Sequence, residues 1–200
     1  MKSFRLGKGE HSNGEAEGVG CVNEIASQLA GLSWGDSPPC VDPVIQKLSI
    51  WYNDKADNDE ALNSDPWATL LPWRLVGTKS TPEIEQRRAY MAADWAVRFV
   101  APILLRRAGL VKEAVSLESL PEIDSVVAAS AASYASAAAS AAASYASAAS
   151  YASAAASYAS AAADDLHRIR ESLRELLDRM IALTEPVEAV CEVKLIGCGK

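Results

Sequence analysis

The chain of 200 residues is poor in the groups that do chemistry. It has two histidines, His11 and His167, and neither stands in a catalytic motif. Its four cysteines, Cys21, Cys40, Cys191 and Cys198, include no Cys-x-x-Cys pair. Structural zinc sites usually show such close pairs, so the thiols read as reduced and mostly buried, and no metal or other cofactor is expected. The glycines of the first twenty residues lack the spacing and the Lys-Ser/Thr ending of a phosphate-binding loop. Excess positive charge is absent too. The formal net charge is −7, which argues against a nucleic-acid binder, because phosphate contacts need concentrated Lys and Arg. The first residues carry no apolar core of a signal peptide, so a cytoplasmic protein is expected.

The largest gap in composition lies at residues 128–163, where only Ala, Ser and Tyr occur. The stretch holds no Gly, no Pro and no charge. Ala has the strongest intrinsic helix preference, so the run predicts one long helix, roughly 50 Å at ~1.5 Å per residue. Ser150, Ser153, Ser157 and Ser160 share a three-four spacing, and Ala fills the opposite side. Serine every few residues and weakly apolar Ala make a membrane span a poor reading. Ala152, Ala155, Ala159 and Ala162 are expected to be buried. The expected contact residues are Tyr134, Tyr145, Tyr151 and Tyr158, since Tyr gives rigid contact area at low entropic cost. A flat Ala-rich face with regular hydroxyls also suggests ice binding, and an alternative is that the helix is only a packing wall of its own fold.

The remaining chain predicts an all-α fold. Residues 1–20 read as an irregular polar arm, with His11 solvated. A first helix covers 21–32, with Val22, Ile25, Ala26 and Leu29 on one face. Asp42-Pro43 and Asp65-Pro66 are cap-then-proline starts. Between them, 53–64 reads as a loop or weak helix. After Asp65, Pro72 interrupts a dense apolar knot, which predicts two short helical turns. Thr81-Pro82-Glu83 opens an amphipathic helix with Ile84, Met91, Trp95 and Phe99 on one side. Arg87, Arg88, Asp94 and Arg98 are placed on the others. Pro102 is expected to kink it and Gly109 to end it. A short helix follows at 111–119.

All five Trp fall between Trp34 and Trp95, which places the compact core mainly in the first half, within a Trp-rich region of 21–120. The segment 121–185 holds the Ala/Ser/Tyr helix and a C-terminal amphipathic helix. Leu166, Ile169, Leu173, Leu176, Met180 and Leu183 form its seam. Counted in sevens, the seam continues the row of Ala152 and Ala159, so one helix could run through Asp164-Asp165, or either Asp could cap a new one. Residues 186–200 form a tail, with a strand-like alternation at 191–196.

Catalytic readings stay weak. Cys21 or Cys40 would need His11 or His167 as a base. Asp94 is expected to pair with Arg98 or Arg87, and Arg106, Arg107 and Lys112 form a small basic patch near a helix end.

Leu75-Val76-Gly77-Thr78-Lys79-Ser80-Thr81-Pro82 through Arg98, followed by a long Ala-rich helix, resembles small phage and bacterial proteins. Its Arg87-Arg88 and Ala92-Ala93-Asp94-Trp95-Ala96-Val97-Arg98 portions are similar to Ala-rich immunity proteins. The resemblance implies an all-helical fold and a phage or mobile-element setting, with no catalytic residues to carry over. The expected function is non-enzymatic interaction with a protein partner, either generally or by neutralising a protein target as an immunity protein does. Self-association is a further option, and neither nucleic acid nor membrane is an expected partner.

Overall fold

The computed structural model describes residues 4–12, 14–130, 132 and 155–183, and for 155–162 it describes the backbone. The fold is all-α. Its helices are α1 (Gly14–Glu17), α2 (Val22–Leu29), α3 (Pro43–Asp54), α4 (Asp59–Ser64), α5 (Pro66–Leu75), α6 (Pro82–Trp95), α7 (Ala101–Arg107), α8 (Val111–Glu118) and α9 (Ala155–Ala182). A further short helical stretch covers 126–130. Two two-residue strands, β1 (Arg5–Leu6) and β2 (Val19–Gly20), pair in parallel.

The helix starts follow the sequence closely. Asp42 caps α3, its Oδ1 accepting from the Val44 and Ile45 amides at 2.8 and 3.1 Å, with Pro43 in the first turn. Asp65 does the same for α5 through the Trp67 amide at 2.9 Å. α2 begins on a capping box in which Cys21 takes the usual Ser/Thr place. The Glu24 amide donates to Sγ at 3.5 Å, and the Cys21 amide donates to Glu24 Oε2 at 2.7 Å. Thr81 differs from expectation. It stands before Pro82, but its side chain makes no cap hydrogen bond, and proline alone pre-sets the start of α6.

Three expectations are corrected. First, the described part of residues 1–20 is not an irregular arm. α1 carries the crossover between β1 and β2, and acidic residues at the end of α3 and beyond it receive the donors that follow β1. The Lys8 amide donates to Asp59 and the Gly9 amide to Asp54, each at 3.0 Å, while Asn53 Nδ2 donates to the Gly7 carbonyl at 2.8 Å. Gly14 allows the tight return, since a Cβ there would stand 2.1 Å from the Val19 carbonyl oxygen. Part of that acidic stretch, left open as a loop or weak helix, forms α4 on an Asn58 cap.

Second, Pro72 does not split its segment. α5 is one helix with Pro72 inside it. Proline in a helix interior costs ~3 kcal/mol, but here the helix ends at Leu75 and Pro72 is buried together with Leu71 and Leu75. Packing of α5 on α2 offsets the missing bond.

Third, Arg88 does not stand on a side of α6 away from Ile84. It is buried at 1 % exposure, on the same side of α6 as Ile84. Its guanidinium gathers three distant segments. NH1 donates to Asp42 Oδ2 at 3.0 Å and to the Thr78 carbonyl at 2.6 Å. Nε donates to the Met180 carbonyl at 3.0 Å and NH2 to that of Leu183 at 2.8 Å. Arg88 thus closes the end of α9 by satisfying carbonyls that a helix C-terminus leaves open.

Ahead of Pro102, where a kink is expected, the structure has a π-turn over Ala96–Val100 that joins α6 to α7, with the Ala101 amide bonded to the Ala96 carbonyl. The wider turn lies in the stretch where a proline ring would press on the preceding carbonyls. Gly109 then ends α7 at φ 78°. Its amide donates to Arg106 and that of Leu110 to Leu105, which stops the helix and turns the chain into α8.

α9 runs without a break through Asp164-Asp165. Ile169, Leu173, Leu176, Leu177 and Met180 are buried and Leu166 is half-buried, so the three-four seam of the sequence is the packed one. α9 lies on α3 and α6. Its side chains enter the main core beside Leu6, Val22, Ile45, Tyr52, Leu71 and Leu75. The main core is drawn mainly from the first half, as expected, and α9 completes it. None of the five tryptophans is fully buried. Two of them reach α9 through their ring N–H groups, Trp67 to Asp178 at 2.9 Å and Trp95 to Ser172 at 3.0 Å, while Trp34 donates to the His11 carbonyl at 2.7 Å. The run at 133–154, the side chains of Ala155, Ala159 and Ala162, and the tail with its expected strand lie outside the described residues.

Candidate docking groove

α2 and α5 pack side by side, and Phe4 and Leu6 close one end of the furrow between them. Ile25 and Leu29 share a face of α2 at i,i+4. Pro72 and Trp73 come from the last turn of α5. These six apolar residues, with Gln28, Asn63 and Thr69, line an open groove of about 500 Å³. Among the described residues no ionisable side chain lines it. Of its lining residues Trp73 is 55 % exposed, and Leu70, three residues earlier on α5 and outside the lining, is 58 % exposed. α5 is apolar on more than one side. Leu71, Leu75 and Ala68 fill the core, which leaves Leu70 and Trp73 facing water.

The strand at the groove's end is not open to a third strand. Leu6 donates its amide to Asn63 Oδ1 at 3.0 Å, and Asn63 Nδ2 donates to the Leu6 carbonyl at 2.8 Å. One side chain thereby occupies both backbone groups on the outer edge.

A second cleft, of about 570 Å³, lies between α7 and α9 and is lined by Phe99, Ile103, Arg106, Arg107, Glu118, Asp165 and Arg168. Its charges are mixed. Arg106 forms a two-pronged ion pair with Glu118, which lowers the carboxyl of Glu118 below its ordinary range through that hydrogen bond. The basic patch expected at Arg106, Arg107 and Lys112 is in part this pair.

The catalytic candidates do not assemble into a reactive site. Cys21 is buried, its sulfur caps α2, and burial pushes its thiol up to about 12. A thiol held protonated in that way is a poor nucleophile. His11 is half-buried rather than solvated, with Nδ1 3.1 Å from Glu24 Oε2. Glu24 is itself buried and already accepts from the amides of Cys21 and His11. Cys40 is half-buried and His167 is exposed on α9. Asp94 pairs with Arg98 at 3.1 Å, as the sequence suggests, and also accepts from the Ile123 amide at 3.0 Å. Among the described residues no group of three His, Cys, Asp or Glu could hold a metal ion, and no helix is long and apolar enough to cross a membrane.

Tyr134, Tyr145 and Tyr151, the contact residues expected from the sequence, lie outside the described residues, as does the side chain of Tyr158. The groove is hidden in the sequence because Leu70 and Trp73 belong to a dense apolar knot. The signal is the excess: Trp67, Leu70, Leu71, Trp73 and Leu75 are more large apolar residues than one buried face of a ten-residue helix can hold. No family model, no curated protein and no solved structure matches this chain.

Proposed function

We propose that the chain is a non-enzymatic interaction protein and that the α2–α5 groove is a surface on which it docks a protein partner. The observation that carries this reading is the exposed pair Leu70 and Trp73 beside an apolar groove without an ionisable lining residue. Large apolar side chains exposed side by side mark contact surfaces, and tryptophan is the residue most often found to dominate their energy. The partner contributes apolar side chains rather than a strand, because Asn63 already satisfies the free edge of β1. The inert state of Cys21 and the ion-paired state of Asp94 support the non-enzymatic part of the reading.

The test places a photo-crosslinking amino acid at position 70 of the full chain in living cells. The expected result is a discrete protein adduct that disappears when Trp73→Glu is added, with the thermal midpoint unchanged. An adduct at twice the chain's own mass identifies the partner as a second copy. Absence of any adduct, or an adduct indifferent to Trp73→Glu, overturns the assignment of this groove.

A further inference from the structure

We draw no further inference here: the strongest candidate, the apolar groove between α2 and α5 with the exposed Trp73 in its lining, belongs to the site already described, and nothing in the structure shows which partner covers it.

Discussion

The main core and the α7–α8 hairpin are built on different length scales. The main core draws on residues from Leu6 to Met180 and is closed by an arginine that joins α3, the Thr78 turn and the end of α9. The hairpin core is Leu105, Ala114 and Leu117, with neighbours confined to Val97–Leu120, and an exposed pair, Arg106–Glu118, ties its two helices together. Local contacts form fast and can open alone, whereas contacts between distant segments make the parts they join unfold together. Charge has opposite weight in the two places. In the core an ion pair must be complete, because a lone buried charge is costly, while at the surface water replaces either partner.

Breaking that contrast at its strongest point means Arg88→Ala. The change leaves Asp42 buried without its counter-charge, takes the guanidinium donor from the Leu183 carbonyl, and leaves the Met180 carbonyl with the Leu183 amide alone. The expected loss is about 3–5 kcal/mol in a denaturant titration. An unchanged midpoint would mean that Asp42 and the end of α9 find water in the native protein. Leu176→Ala comes next, with an expected cost of about 2–5 kcal/mol to the global transition. Leu117→Ala in the hairpin should move the global midpoint less, and instead speed amide exchange across α7 and α8. Equal shifts for the two substitutions would show that the hairpin and the main core unfold as one unit.

Alkaline pH sharpens the comparison within the main core. Burial raises the Cys21 thiol from its ordinary 9.0 to about 12, and burial with the nearby Asp65 charge raises the Tyr52 phenol from 10.0 to about 12. Both groups stay protonated in the folded protein at a pH where the unfolded chain releases their protons. Their contribution is complete below about pH 9 and is lost as pH rises toward 12. Unfolding midpoints should therefore fall across that window, and Cys21→Ala should flatten its lower part. A midpoint independent of pH from 9 to 11 would contradict the burial of both groups. The smallest effect belongs to Arg106→Ala, for which the thermal midpoint should stay within experimental error, since the pair it breaks stands in water.

Much of this was readable from the chain, and particular residues show where reading stopped. Asp42-Pro43, Asp65-Pro66 and Gly109 mark their helix ends because capping chemistry acts within a few residues. The seam of α9 could be read from its spacing for the same reason. Arg88 could not be placed by its own chemistry, although position gave a clue. Ile84, Met91, Trp95 and Phe99 form a stripe with one gap, and Arg88 stands in that gap. Its partners are 46 to 95 residues away, apart from the carbonyl of Thr78, so no local pattern announces them. The same holds for Asn63, whose hydrogen bonds to Leu6 across 57 residues hold the end of the groove. Leu70 and Trp73 show a different limit: hydrophobicity reports that a side chain prefers burial, and only the packed fold shows which ones remain uncovered.

The π-turn before Pro102 keeps a register as well as easing a proline. A straight α-helix advances about 100° per residue, and a π-turn holds one residue more than the α-helical path needs. Residues 96–100 therefore take up an extra residue while α7, whose Ile103 lines the cleft beside α9, stays in phase with α6, whose face is fixed by Arg88. Deleting one residue there would restore regular winding and leave the hairpin where it is. The same deletion inside α7 would turn every later residue about 100° around the helix axis, so five residues hold the slack that lets the chain change length by one without redirecting an arm of the molecule.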